Sequence, residues 1–566
     1  MRESKVNIIF TTDVHGNFFP YDFRRSTWGK GSLQRVHAFV SQEVSRLPGS
    51  TILIDGGDLL QGSPAAYFLN AQSLSQPEHR MHRVADMCNY IGYDAGILGN
   101  HDIEMGVEVV KRFVKGCHFP ILGANVIDDS TGECALTPYV LFQRGDALIA
   151  LVGFITPAIP HWVPEQAWKG FHFDDITASA RKWLAYLKQK VKPDYLVGLF
   201  HSGLEDGIVT PSYRENAVRI TVEQVDGFDL VLYGHDHCPH MEEVEAPSGK
   251  EVICVNPGSE AHSVAEITIT FHPDSQGRII HHNTDARLCY IGRIANQHGQ
   301  AFGKHFRRDF EDIRRWSSQK VGELQAPLDI SDAFFGPSAY IDFIQQLQLQ
   351  ISGADISFSA PLFFSAHIPP GDLHISDLFN IYRFEDKLYT LRLSGQEIKD
   401  YLEMSYSLWT THMQSPDDHL LLLSPMKSNP SRMGFTNFIF NFDAASGINY
   451  EVDVTQPEGH KLLIHSFSDG RPFRLDENYL VAMTAYRANG GGELLTKGAR
   501  IAKEDIPQRI VSTTPHDVRH YLMQYVKEQG QVDPRPLGNW HFIPTEWTHA
   551  AAARDYDILF RHKPLA

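Results

Sequence analysis

Val6-Asn7-Ile8-Ile9-Phe10-Thr11-Thr12-Asp13-Val14-His15-Gly16-Asn17 begins as an apolar, β-prone run and ends on an aspartate, a histidine and a glycine. A strand of this kind suits the buried sheet of an α/β layer. Its polar end falls where such sheets gather ligands, outside the carboxyl ends of strands. The pattern recurs four times. Asp55-Gly56-Gly57-Asp58 closes a strand at Ile52 to Asp55, and Gly99-Asn100-His101-Asp102 closes one at Ala95 to Leu98. Phe200-His201-Ser202-Gly203 follows Tyr195 to Phe200, and Tyr233-Gly234-His235-Asp236-His237 follows Leu230 to Tyr233.

A single cluster says little, because Asp-x-His also occurs at Asp372/His374 and Asp417/His419, to which no role is assigned. Taken in order, the strand-end clusters supply Asp, His, Asp, Asn and three further His without a thiolate. This oxygen and imidazole set suits borderline divalent metals rather than a structural thiolate zinc site, and it leaves Mn, Zn, Co and Fe undistinguished. Seven ligands imply two ions. Two ions about 3.5 to 4 Å apart, sharing one carboxylate, can clamp the attacking and leaving oxygens of an in-line phosphoryl displacement. Phosphate esters are therefore the expected substrates. No side-chain nucleophile is required, since a divalent cation lowers the pKa of bound water toward about 7. Neither a G-x-S-x-G elbow nor a G-x-x-x-x-G-K loop competes with this reading.

Around these clusters, strands at Ile121 to Ala124 and Leu148 to Phe154 alternate with helices near 31–46, 80–91, 106–115, 176–190 and 215–225, which predicts an α/β layered domain. A strand-rich stretch (Val264 to Phe271) precedes Phe302 to Trp316, which reads as a charged helix able to bridge two bodies. The expected division is 1–290, a linker helix in 291–325, and 326–566. The last part mixes helices (Ala339 to Gln350, Gly395 to Glu403, Pro515 to Gln529) with strands (Lys387 to Leu393, Asn449 to Val454, Tyr479 to Met483), an α+β pattern. Thr514-Pro515 is expected to start the final helix in this set as cap and first-turn proline.

With 566 residues the chain exceeds what one core holds, so two cores are expected. The net charge of -17 gives no basic footprint for long nucleic acid, and no run of about 18 apolar residues suggests a membrane span. A small-molecule partner remains, and the oligomeric state stays open. Six cysteines lie singly and read as reduced thiols. The chain enters its first strand with no signal-like apolar region, so a cytoplasmic location is expected. His281-His282, His172, His161-Trp162 and Glu242 to Glu245 read as surface or packing residues.

The order D-x-H, G-D, G-N-H-D, H and G-H-x-H resembles the calcineurin-like metallophosphoesterases, over residues 6 to 237. The resemblance implies a four-layer α/β/β/α sandwich. It also implies that Asp13, His15, Asp58 and His237 hold one ion, and Asp58, Asn100, His201 and His235 the other, with Asp58 bridging. His101 then stands beside the metals as the catalytic residue that stabilises the transition state or protonates the leaving oxygen. Asp102 is expected to orient it through a carboxylate to imidazole hydrogen bond.

The remaining residues also have a resemblance. Thr484-Ala485-Tyr486-Arg487-Ala488-Asn489-Gly490-Gly491-Gly492 resembles the C-terminal signature of the 5'-nucleotidase family, with Tyr486 at one base-stacking position and Phe384 at the other. Arg487, Asn489, Gly490 and Gly491 are the further substrate-binding residues this implies, and domain rotation is the implied gate. Asp58-Leu59-Leu60-Gln61-Gly62-Ser63-Pro64, Ser359-Ala360-Pro361 and Asn449 to Pro457 resemble the 2',3'-cyclic-nucleotide 2'-phosphodiesterase/3'-nucleotidase branch, whose members are often exported. Where 5'-nucleotidases carry N-G-G-x-I-R, Ser357 to Leu362 lack the arginine, and their N-G-G-D-G-F reads Asn489 to Leu494, without the aspartate. The implied substrates are 2',3'-cyclic nucleotides and 3'-nucleotides, with a 5'-nucleotidase or nucleotide-sugar hydrolase as the alternative.

Overall fold

Along the strand Ala147–Ile155 successive side chains point to opposite faces, and nearly all are buried. Ile149, Leu151 and Ile155 join one apolar core, while Ala150, Val152 and Phe154 join another. A strand buried on both faces belongs to an inner layer. A computed structural model of the chain describes residues 3–47, 49–210, 213–276, 278–364, 366–426 and 429–561, which divide into two compact units, Met1–Ser317 and Ser318–Ala566.

The first unit holds two six-stranded sheets. One runs Ile279–Tyr290, Ser263–Pro273, Ser4–Thr11, Thr51–Asp55, Ala95–Ile97, Ile121–Leu122; the other runs His240–Glu245, Glu251–Asn256, Leu230–Tyr233, Tyr195–His201, Ala147–Ile155, Tyr139–Arg144. Ile8, Ile54 and Ile97 of the first sheet and Leu151, Val197, Leu199 and Leu232 of the second share one core, which helices Leu33–Arg46, Arg83–Ile91 and Val107–Gly116 enter through Leu33, Val84 and Phe113. Helices Ile176–Tyr186 and Val218–Gln224 cover the far side of the second sheet. The order is helix, sheet, sheet, helix, a four-layer sandwich. All six cysteines are free.

The helical stretch expected to bridge the units belongs to the first. Helices Gln297–His305 and Arg307–Ser317 are fixed there by Phe302, Phe306 and Ile313 in the core and by Arg83, whose guanidinium grips Asp309 at 2.9 and 2.6 Å. The next strand, Lys320–Leu324, already pairs within the second unit, with Gly371–His374 and Gln531–Val532.

The second unit centres on a five-stranded sheet, in the order Ala444–Ser446, Ile356–Ser359, Asn478–Thr484, Lys387–Ser394, Ile510–Asp517. Helix Gly395–Trp409 starts at a capping box of Ser394 and Glu397 and buries Ile398, Tyr401, Leu402, Tyr406 and Trp409. Thr514 and Pro515 do not begin a helix. They lie in the edge strand Ile510–Asp517, where a missing N–H costs no ladder bond. Asp517 caps Val518–Gln529 instead, accepting the His520 N–H at 3.0 Å.

Candidate metal centre

The polar clusters leave parallel neighbours at their carboxyl ends: Ser4–Thr11, Thr51–Asp55 and Ala95–Ile97 in one sheet, Tyr195–His201 and Leu230–Tyr233 in the other. There Asp13, His15, Asp58 and His237 each place a ligand-type atom within 4.8 Å of the others. His15 Nε2 lies 2.9 Å from His237 Nε2 and 3.8 Å from Asp58 Oδ2, and His237 Nε2 lies 3.4 Å from Asp13 Oδ1. On the other side of Asp58, His201 Nε2 stands 3.3 Å from the same Oδ2 and 3.2 Å from Asn100 Oδ1. His235 is held differently. Its N–H donates to both Asp13 oxygens at 3.2 and 3.0 Å, while its Nε2 meets Glu215 Oε1 at 3.1 Å.

Backbone conformation sets this geometry. Asp13, His15, Asp58, His235 and His237 all have φ between 49 and 82°, the left-handed region that side-chain-bearing residues avoid. Such residues cost about 1 to 3 kcal/mol each and persist where surrounding structure over-determines them, as at functional sites. Asp102 supplies part of that determination. Its carboxylate accepts the N–H groups of Asp58, Leu59, Leu60 and Gly99 at 2.8 to 2.9 Å, fixing the Asp58 loop against the start of helix Asn100–Glu104. Gly99 has to be glycine, because a Cβ would lie 2.0 Å from Asp58 Oδ1.

This corrects one sequence expectation. Asp102 is committed to backbone amides, and the carboxylate that meets His101 is Glu104, with Oε2 2.8 Å from Nδ1. His101 sits beside the cluster, its ring 5.6 Å from that of His15. Glu104 was findable, since i and i+3 share one face of a helix. Glu215 carried no motif. Trp162, read as packing, stacks on the His235 ring at 5.7 Å and 16°.

The electrostatics describe a donor set in want of positive charge. Among the described residues no hydrogen bond of good geometry ends on the buried Asp58 Oδ2, which His201 Nε2 approaches to 3.3 Å. Burial opposes its ionisation, but His201, His101 and His15 hold its carboxyl well below the usual range. Burial would lower His201, yet the Asp58 charge prevails and lifts it to about 10. Burial raises Asp13, and the hydrogen bond and charge of His237 bring it down to about 2. His15 falls to about 3, through burial and then His237. Asp102 is pushed up to about 6 by burial and by Asp58, against its amide donors. A buried carboxylate oxygen set between the His15 and His201 nitrogens, beside a His15 nitrogen that faces that of His237, fits a borderline divalent ion.

In the second unit, Leu388 lies opposite Thr484, so the ladder brings Phe384 and Tyr486 to one end of the sheet. Arg487, expected at the substrate, is instead 4% exposed and committed to protein. Its guanidinium meets Asp443 at 2.8 Å, Asn441 Oδ1 at 2.9 Å and the Gly491 carbonyl at 3.0 Å, and also binds the Phe440 carbonyl. Asn489 Nδ2 is likewise taken up by the Ala485 carbonyl at 2.7 Å. Gly490 turns the chain in the left-handed region, and a Cβ on Gly491 would strike the Tyr486 ring at 2.5 Å. The glycine run therefore seats the tyrosine.

Comparison with known proteins follows the same division. The calcineurin-like phosphoesterase profile matches residues 6–239 and the 5'-nucleotidase C-terminal domain profile matches residues 320–497. The chain is 26% identical, over 96% of its length, to a trifunctional nucleotide phosphoesterase of Bacillus subtilis, but spans only 39% of that protein. It is 24% identical to a 2',3'-cyclic-nucleotide 2'-phosphodiesterase/3'-nucleotidase of Salmonella typhimurium, covering 99% of this chain and 91% of the relative. A 5'-nucleotidase precursor structure from Thermus thermophilus shares the fold, with a TM-score of 0.65 at 19% identity over 96% of this chain and 100% of that one. The chain thus belongs to the calcineurin-like metallophosphoesterases that carry a 5'-nucleotidase C-terminal domain, a family of metal-dependent phosphoric ester hydrolases.

Proposed function

We propose that the chain hydrolyses 2',3'-cyclic nucleotides and 3'-nucleotides to nucleoside and phosphate, using two divalent ions in its first unit and base recognition in its second. The observation that carries the two-ion reading is Asp58. Its buried Oδ2 stands between His15 on one side and His201 on the other, as a bridging carboxylate must. Bound there, a pair of ions would offset charge on the attacking and leaving oxygens of the phosphoryl group. The protein's own residues do the rest. Asp13, His15 and His237 share one side of the centre, Asn100 and His201 the other, and Asp102 keeps the Asp58 loop in register. As the imidazolium, His101 keeps one proton on Nδ1 toward Glu104 and holds on Nε2 the proton that the departing ribose oxygen requires.

The cyclic and 3' preference is supported by relatives named for that activity and by the absence of an arginine from Ser357 to Leu362, where a 5'-phosphate would be gripped. Tyr486 and Phe384 are the aromatic faces for the base. Phosphate release by metal-stripped protein refilled with Mn²⁺ tests the reading, with 2',3'-cyclic AMP, 3'-AMP, 5'-AMP and bis(p-nitrophenyl) phosphate as substrates. Turnover of the cyclic and 3' compounds is expected. Turnover of 5'-AMP alone would replace the proposal with a 5'-nucleotidase.

A further inference from the structure

An imidazole can offer one nitrogen to a metal only if the other keeps the proton, and whatever that other nitrogen faces selects the tautomer. In His201 it faces a carbonyl: Nδ1 is 2.7 Å from Gly56 O, which leaves Nε2 toward Asp58. In His15 it is again a carbonyl, Gln61 O at 3.1 Å from Nδ1. His235 differs, since its Nε2 faces the Glu215 carboxylate at 3.1 Å. The proton then belongs on Nε2, and Nδ1 is the nitrogen left to donate.

Glu215 is well placed to fix this choice. Its Oε2 accepts the Ile208 N–H at 2.7 Å, so the carboxylate cannot swing away freely. Its carbonyl accepts the hydroxyls of Ser202 at 2.8 Å and Thr156 at 3.0 Å. Ser202 directly follows His201, so one residue ties together the loops after two strands of the sheet. Trp162 covers the His235 ring face to face and limits its rotation.

We infer that Glu215 is a positioning residue for one ion of the centre, acting through His235 by holding the tautomer whose Nδ1 is left to donate. The inference rests on the two-ion reading above. A carboxylate behind a ligand imidazole raises its donor strength as well as orienting it, and losing such a partner costs about 10- to 100-fold in metal affinity.

The experiment is Mn²⁺ binding by the full chain, wild type against Glu215→Ala and Glu215→Gln. Mn content is measured at graded free Mn²⁺, and low-temperature EPR separates an isolated ion from an exchange-coupled pair. The wild type is expected to take two ions and show the coupled signal. Glu215→Ala should bind one of them about 10- to 100-fold more weakly and lose the coupled signal at intermediate Mn²⁺. Glu215→Gln keeps an acceptor oxygen and should recover most of the affinity, and the metal-free melting temperatures should match. Wild-type affinity and coupling in Glu215→Ala overturn the assignment. So does equal Mn loss in both variants with a lowered metal-free melting temperature, which marks a structural role. A wild type that never binds a second ion fails the two-ion reading itself and takes the assignment with it.

Discussion

The strand-end loops of the first unit resemble the Thr484 to Leu494 turn of the second unit in sequence, each being a polar cluster with glycines that closes a strand. In three dimensions they differ in what their polar atoms have left to give. Among the described residues no hydrogen bond of good geometry ends on the buried Asp58 Oδ2, and the nitrogens of His15 and His237 face one another at 2.9 Å. Arg487 has donors bound to Asp443, Asn441, Phe440 and Gly491. A cluster built for a ligand keeps capacity in reserve, and a cluster built for the fold uses it up. Residue type alone does not tell the two apart.

Asp58→Asn should break the first region most severely. The exchange keeps the shape but removes the shared charge, which is the part of the site no neighbouring group replaces. Loss of turnover on the order of 10⁴-fold is expected, with Mn content falling, and the metal-free protein should also melt lower because His201 loses its buried charge partner. Near-normal metal content in this variant would remove Asp58 from the bridging position.

Arg487→Ala should act on the fold of the second unit instead. Breaking one side of a buried ion pair costs about 3 to 5 kcal/mol, which denaturant unfolding of that unit would show. Hydrolysis of bis(p-nitrophenyl) phosphate under folding conditions should be unchanged. If stability held and only the KM for nucleotides rose, the arginine would be a substrate contact and the contrast would fail.

Tyr486→Ala and Phe384→Ala should have smaller effects, confined to substrates with a base. Each stack is worth about 1 to 3 kcal/mol, or roughly 5- to 150-fold in KM. The same variants should leave bis(p-nitrophenyl) phosphate turnover untouched. A matching loss on both substrates would show that these rings support the fold rather than hold a base.

The layered α/β architecture was readable because its strands are short apolar runs ending in polar clusters, and the gathering of Asp13, His15, Asp58 and His237 follows from that placement. Partners distant in sequence were not readable. Nothing near Arg487 announces Asp443, and nothing near His235 announces Glu215. The role of Asp102 was misread for a related reason: a carboxylate beside a histidine suggests a side-chain pair, whereas here the backbone amides of the neighbouring loop are better placed to take it. The left-handed φ of five ligand candidates also leaves no trace in composition. Thr514-Pro515 shows the converse, a helix-start signal overridden by pairing with Lys387–Ser394.

Asp342 sharpens the comparison, because it too is a buried carboxylate with an unpartnered oxygen, Oδ1, yet among the described residues it belongs to no metal-type cluster. Its other oxygen accepts the Leu537 N–H at 2.6 Å. With no imidazole to share its charge, burial pushes its carboxyl up to about 6. The folded pKa therefore lies above the unfolded one, and between about 4 and 6 the native state binds more protons than the unfolded state. Stability of the second unit should fall as pH rises through that window and stay lower above it. Asp342→Asn removes the titration, so the variant should gain about 1 to 2 kcal/mol on wild type at pH 7.5 and lose that advantage near pH 4. Denaturant unfolding at the two pH values measures the difference. If the variant gained nothing at pH 7.5, the orphaned oxygen of Asp342 would have a cation nearby after all, and an unpartnered oxygen in this fold would mark a site even without histidines around it.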